Sequence, residues 1–198
     1  SRDSIVPSYR GGAGAASHKA GPRKLALLIG IGHYYQLAAG HGQRPWPILH
    51  VKEEMEEYRQ VLIRDYGFGA HDVHILLEEQ ATAANIRAAV KQHLLDQAGP
   101  GDIVLFHYSG HGQQIPDQED PVHRDEPDGL DESLVPYDAL NQSVAEGVAK
   151  NIRDDEVDEW LETLAGRMSE SGKLSGHVTV TLDTCFSGAA TRGLFTAR

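Results

Sequence analysis

The stretch Val178-Thr-Val-Thr-Leu-Asp-Thr-Cys185-Phe-Ser-Gly188 decides the fold prediction. Its first five residues are β-branched or apolar, which predicts a buried strand. The strand stops at Asp183, and the only cysteine of the chain follows two residues later, just before a Ser-Gly turn signal. In open parallel sheets, reactive groups lie at the carboxyl ends of strands, where the loops surround a crevice. Cys185 is therefore placed where a reactive group is expected.

A second stretch, Asp102-Ile-Val-Leu-Phe-His-Tyr-Ser-Gly-His111-Gly112, has the same form. An apolar strand again runs into a turn of small residues, and this turn carries a histidine. If the two strands are neighbours, Cys185 and His111 meet above the sheet and the thiol gains a base. The two stretches together predict a hydrolase with a cysteine nucleophile.

Simpler interpretations of these two residues have to be weighed. A lone cysteine at a strand end is commonly a small buried hydrophobic residue, and the chain has 11 histidines. The repeated order of strand, small residues, reactive group and glycine favours catalysis over a structural pair. A metal hydrolase is disfavoured, because the histidines lack ligand spacing with one another.

Composition limits the class of protein. The chain has 198 residues, of which 40% are hydrophobic, enough for the core of one domain. Residues 1–23 are rich in Gly, Ala and Ser and predict a flexible leader, so the folded domain is expected at residues 24–198. A single cysteine fits a reducing compartment, and no apolar run is long enough for a membrane span. We expect a soluble, cytoplasmic protein without a membrane partner.

The charge balance points away from nucleic acid. Lys and Arg number 18 against 29 Asp and Glu, which gives a net charge of -11. No basic stripe interleaved with aromatic residues is present, so a nucleic-acid partner is not expected. A cationic substrate or a metal cation suits this charge better.

The order of the patterns predicts the fold class. Apolar runs at Lys24–Ile31 and Val73–Leu77 predict strands, and apolar residues at helical spacing predict a helix over Val51–Tyr66. Thr82 is the predicted N-cap of a helix that extends to about residue 97. With the strand before His111, this β-α-β-α-β order predicts an α/β protein with a mostly parallel sheet and right-handed crossovers.

An acidic segment follows the histidine strand. Residues Gln113 to Asp131 are polar and carry many carboxylates, and we expect a solvated, mobile loop in preference to an ordered cation site. Ser133–Tyr137 predicts a short edge strand closed by Pro136. A helix begins at Asp154, where acidic residues favour the helix dipole.

The histidine and cysteine motifs together resemble the caspase-like clan of cysteine peptidases. The motifs are His107-Tyr-Ser-Gly-His111-Gly112 and Asp183-Thr-Cys185-Phe-Ser-Gly188, and the greatest likeness is to metacaspases and their bacterial relatives, the orthocaspases. Ala26-Leu-Leu-Ile-Gly-Ile31 and the stretch Asp128–Asp138 also match. The resemblance extends over Lys24 to Arg198 and implies a caspase-like fold, with residues 24–198 as a p20-like catalytic domain.

The resemblance implies roles for single residues. Cys185 would be the nucleophile and His111 its proton-transfer partner, and the backbone N–H groups of Cys185 and Gly112 would form the oxyanion hole. Asp183 would line the pocket for the residue before the scissile bond and select Arg or Lys over Asp, with Glu54 as a second acidic wall. The expected partner is therefore a peptide or protein substrate with a basic residue at that position.

Calcium is the cofactor that the resemblance raises. The carboxylates of calcium-activated metacaspases correspond to Asp131, Asp155 and Glu156, but a remaining ligand position falls at Arg192, where a cation would repel the ion. We expect weak or absent calcium dependence and no required cofactor.

The end of the sequence raises a further expectation. By family likeness, more strands and a C-terminal small, p10-like subunit would follow the cysteine strand and cover its edge. Ending at Arg198 suits self-processing after a basic residue, which makes this the large subunit of a zymogen; the alternative is that the end has no biological meaning. A second functional alternative is a catalytically silent caspase-like interaction module, which the presence of both Cys185 and His111 disfavours.

Overall fold

The structure is a computed structural model that describes residues 22–34, 49–116, 129–139 and 150–184. The predicted leader therefore lies almost entirely outside the described residues. The main sheet consists of four strands, β1 (Lys24–Gly30), β2 (Val73–Leu77), β3 (Ile103–Ser109) and β9 (His177–Asp183). Their order is β2-β1-β3-β9 and all three pairings are parallel, which confirms the predicted α/β class and parallel sheet.

Three helices accompany the sheet within the described segments. Helix α1 spans Lys52–Arg64, and helix α2 spans Ala83–Ala89 and continues as a π-helical segment over Val90–Leu95. Helix α3 spans Asp154–Arg167. In the described part of the chain, no helix is both long enough and apolar enough to cross a membrane.

The two faces of the sheet are covered by different helices because side chains alternate along a strand. On one face, Leu25 and Leu27 of β1 pack in one cluster with residues of α2 and α3. On the other face, Ala26 and Leu28 pack with Met55 of α1. A parallel sheet covered on both faces explains why the β1 sequence is almost continuously apolar.

A small antiparallel sheet lies beyond the main one. It has the order β4-β5-β6, with β4 at Gly112–Pro116, β5 at Leu130–Leu134 and β6 at Ile152–Arg153. A two-stranded hairpin of β7 (Ser169–Glu170) and β8 (Lys173–Leu174) leads into β9.

This small sheet corrects two predictions. The segment Gln113 to Asp131 is not a solvated loop at its ends, because Gln113 and Asp131 are buried in β4 and β5. The strand expected at Ser133–Tyr137 begins at Leu130 instead, and it is central because β4 and β6 pair with its two sides. The sequence pattern did not reveal β4 and the start of β5, because their residues are largely polar. The strands that pair with them are also distant in sequence.

Candidate active site

The carboxyl ends of β3 and β9 are adjacent, as the hydrolase hypothesis requires. The two strands pair in parallel along their whole length, and their last residues, Ser109 and Asp183, are partners in the register. His111 follows β3 by two residues. Cys185 follows β9 by two residues and lies outside the described residues, so its predicted role as nucleophile stays a prediction. The prediction that the two strands are neighbours is confirmed.

The backbone of His111 is held from several directions. Its N–H donates to the Tyr34 hydroxyl at 2.5 Å, and its carbonyl accepts from the Val135 N–H at 3.0 Å and from the Tyr108 hydroxyl at 2.8 Å. The imidazole lies against the Tyr34 ring, with 5.0 Å between ring centroids. Gly112, the predicted oxyanion-hole residue, is buried at the start of β4. The histidine is thus placed by β1, β3 and the segment after β5.

Asp183 lies at the exposed end of β9, beside the turn that carries the histidine. Its backbone carbonyl accepts from the Gly110 N–H at 3.2 Å, and its carboxylate accepts from the Ser109 hydroxyl at 3.4 Å. An exposed carboxylate at this edge is free to meet a cation from solvent. Glu54 lies in the first turn of α1 and is exposed, and no hydrogen bond or ion pair connects it with Asp183, both residues being described.

A histidine that is not predicted as a site residue lies beneath this edge. His107 of β3 is buried, and its Nδ1 lies 2.7 Å from the Thr181 hydroxyl of β9. Burial lowers the pKa of His107, and the charge of Asp183 opposes that effect. A buried imidazole whose pKa lies below its ordinary value is neutral at neutral pH, so His107 adds no cation beside Asp183.

The three calcium candidates are not gathered into a metal site. Asp131 is buried and bonded to the Arg153 guanidinium, and Glu156 forms two hydrogen bonds with Arg87 at 2.7 and 2.8 Å. Asp155 lies in the first turn of α3. Over the residues that the structure describes, no three metal-ligating side chains form a group. Guanidinium groups thus bind two of the three carboxylates that a calcium ion would need as ligands.

Burial and nearby charge also perturb an acid next to these candidates. The pKa of Asp154 is raised to about 7, first by burial and then by the charges of Asp131 and Glu132. A carboxyl group with such a pKa is partly neutral near pH 7.

The sequence analysis missed Tyr34, Tyr108 and Ser109 as parts of the site. All three lie at or just after the carboxyl end of a strand that was correctly predicted. Their position at strand ends was a usable signal. The contact of Tyr34 with His111 could not be predicted in this way, because Tyr34 follows β1 and His111 follows β3.

Comparison with known proteins identifies proteins that are similar to this chain. Residues 24–192 match the model of the metacaspase, peptidase C14 domain. Metacaspase-1A of Aspergillus terreus is 36% identical over 174 residues, which cover 85% of this chain and 36% of that protein. Metacaspase-1 of Coccidioides immitis is 36% identical over 180 residues, covering 88% of this chain and 33% of that protein. The chain thus spans about a third of the length of these curated relatives.

A solved structure supports the fold. The crystal structure of a protein from Geobacter sulfurreducens is 29% identical and superposes with a TM-score of 0.59, covering 85% of this chain and 52% of that one. The four-stranded parallel sheet and its helices are consistent with the caspase-like fold expected from the motifs. The chain belongs to the metacaspase family of C14 peptidase domains.

Proposed function

We propose that this domain is the catalytic part of a cysteine endopeptidase that cleaves peptide bonds after Arg or Lys. One observation carries the proposal: β3 and β9 are parallel neighbours, so the turn with His111 and the segment that continues to Cys185 leave the same edge of the sheet. A thiol and an imidazole that leave adjacent strand ends are suited to act as nucleophile and base.

The proposed reaction proceeds through a covalent acyl-enzyme. The Cys185 sulfur, having given its proton to His111, attacks the scissile carbonyl carbon, and the C–N bond breaks as His111 returns the proton to the leaving amine. Water then hydrolyses the thioester with His111 again acting as the base. The backbone N–H groups of Gly112 and Cys185 would bind the oxyanion, and the lack of a side chain at Gly112 permits close approach of the carbonyl.

The basic specificity is proposed from Asp183. Its carboxylate is exposed at the same edge, next to Ser109, whose hydroxyl lies 3.4 Å away. An exposed carboxylate attracts a guanidinium or ammonium group and repels an aspartate side chain. Glu54, in the first turn of α1, stays a proposed second acidic wall.

Fluorogenic peptides that end in Arg, Lys or Asp test the proposal. We expect turnover after Arg and Lys, none after Asp, and none by Cys185→Ala. Asp183→Asn should lower kcat/KM for Arg peptides by about 10- to 100-fold, because one charge pair is lost. Glu53→Gln on the exposed face of α1 is the matched charge control, and this variant should leave kcat/KM for Arg peptides unchanged. Cleavage only after Asp would refute the pocket assignment, and no turnover of any peptide would support the silent interaction module.

Self-processing and a small-subunit partner follow from the same proposal. An enzyme with a basic pocket can cut its own chain after Arg or Lys, and a Cys185→Ala variant should then remain intact when the wild type is cleaved, as read by mass spectrometry. Strand β9 is the last strand of the main sheet within the described residues, and its outer side chains are half-exposed. A p10-like subunit that adds strands there would cover this edge.

The enzyme is further proposed to work without calcium. Arg153 and Arg87 already neutralise Asp131 and Glu156, two of the three candidate ligands, and Arg192, which lies outside the described residues, adds no carboxylate. Activity should be unchanged when calcium is removed with a chelator. Micromolar calcium binding in a titration calorimeter would overturn this part of the proposal.

A further inference from the structure

Two phenol groups bind the backbone of the histidine on both sides of its Cα atom. Tyr108, in β3, is fully buried and its hydroxyl reaches the carbonyls of His111 and Val135, both at 2.8 Å. Tyr34, four residues after β1, is buried too and accepts the His111 N–H at 2.5 Å. The two hydroxyl oxygens are 3.3 Å apart. The N–H and the C=O of His111 are therefore both bonded to this tyrosine pair.

The neighbouring glycine makes this arrangement possible. A Cβ atom on Gly110 would lie 2.6 Å from the Tyr34 hydroxyl and 2.7 Å from the Tyr108 hydroxyl, closer than real Cβ contacts allow. Only a residue without a side chain lets both hydroxyls reach the turn. The glycine of the Ser-Gly-His sequence is thus matched to the two tyrosines.

The hydrogen bonds can run in one direction through the pair. His111 N–H donates to Tyr34, the Tyr34 hydroxyl can donate to Tyr108, and Tyr108 donates to a carbonyl. Burial raises the pKa of Tyr34 to about 12 and the pKa of Tyr108 well above its usual value. Both phenols therefore remain neutral donors at any working pH, and neither serves as an acid or base.

Tyr34 is itself held from a neighbouring strand. The residue after β2, Glu78, has a left-handed backbone with φ of 48°, and its carboxylate accepts the N–H groups of Gly32 and His33 at 3.2 and 2.9 Å. A left-handed conformation at a non-glycine residue carries strain, which persists only where the surroundings impose it. The loop that carries Tyr34 is thereby bonded to β2 as well as to β3.

We infer that Tyr34 and Tyr108 are positioning residues for the His111 imidazole, which their hydroxyls orient by binding the backbone N–H and C=O on either side of the His111 Cα while the Tyr34 ring packs on the imidazole face. The inference deepens the proposed function and rests on it for its catalytic consequence. A general base that is displaced by about 1 Å can lose a factor of about 100 in rate. Orientation by the tyrosines therefore acts on kcat.

The test compares Tyr34→Phe with the wild type. The variant keeps the aromatic ring and loses the hydroxyl that accepts the His111 N–H and contacts the Tyr108 hydroxyl. Two measurements are made on the same protein: kcat and KM with an Arg-terminated peptide, and NMR of the His111 amide proton exchange and imidazole resonance. Tyr66→Phe removes a phenol hydroxyl from an exposed position and is the matched control. If Tyr34→Phe does not fold, Tyr108→Phe gives the same test through the carbonyl of His111.

We expect faster exchange of the His111 amide, a broadened imidazole resonance, and a kcat lowered about 10- to 100-fold with KM unchanged. A structural role alone would lower the amount of folded enzyme without this split between kcat and KM. An unchanged imidazole resonance, or an unchanged kcat beside a mobile imidazole, would overturn the inference. If the wild type cleaves no peptide, the peptidase proposal fails, and the NMR result alone still decides whether the tyrosines order His111.

Discussion

A buried glutamine next to Gly112 should weaken the fold. Gln113 of β4 is 1% exposed, and both its amide oxygen and its amide nitrogen lack a hydrogen-bond partner. A buried polar group without a partner costs about 1 to 3 kcal/mol. Methionine has nearly the same length and volume and carries no amide. We therefore expect Gln113→Met to raise the free energy of unfolding by about 2 kcal/mol, the low end for two unsatisfied groups.

The neighbouring residue supplies the control. The Gln114 side chain donates to the Glu132 carboxylate at 3.1 Å, so Gln114→Met loses a bond that is made. That variant should be less stable by about 0.5 to 1.5 kcal/mol. Urea unfolding at 25 °C measures both, and Gln113→Met should also melt about 4 to 8 °C higher. Equal or lower stability of Gln113→Met would refute the reasoning and indicate that a buried water satisfies the amide.

Three other variants test single interactions. Arg153→Met should lower the free energy of unfolding by about 3 kcal/mol, because the substitution leaves the Asp131 carboxylate buried without its guanidinium partner. In thermal melts, calcium should then stabilise this variant more than it stabilises the wild type. Thr82→Ala should cost about 1 kcal/mol in urea unfolding, because the Thr82 hydroxyl caps α2. Burial lowers the pKa of His93, so the free energy of unfolding should fall as pH falls below about 6.5. His93→Gln should flatten the pH dependence of this free energy between about pH 7.5 and 5. An unchanged slope in the variant would contradict the prediction.

The sign of the histidine effect follows from proton binding. The unfolded chain protonates His93 at its ordinary pKa, whereas the folded chain resists protonation because the ring is buried; the carbonyls of Ala26 and Asp72, at 3.1 and 3.0 Å from its Nε2, oppose this effect without cancelling it. Between the two pKa values the unfolded state binds more protons, so stability rises with pH. The histidine contribution is complete above the unfolded pKa and is lost as pH falls towards and below the folded one.

Local patterns were sufficient to predict the elements that form the site edge. The apolar runs at β1, β2 and β3 predicted strands, and Thr82 was correctly identified as a helix cap, since each signal lies within one segment. The adjacency of β3 and β9 followed from two similar motifs and the rule that reactive groups gather at carboxyl ends. The tyrosine pair could not be predicted in this way, because Tyr34 and His111 are 77 positions apart.

The acidic residues show that a sequence pattern does not reveal which cationic side chains the fold brings to them. A net charge of -11 and a run of carboxylates favour a cation, and the sequence alone does not say which cation is already present. In the fold, Asp131 meets Arg153 across 22 positions and Glu156 meets Arg87 across 69. The pairing of β5 with β6 brings Arg153 to the buried Asp131, and α2 carries Arg87 to the half-exposed Glu156 at the start of α3. Because the fold supplies its own cations there, a run of carboxylates in the sequence does not by itself indicate a site for an added cation.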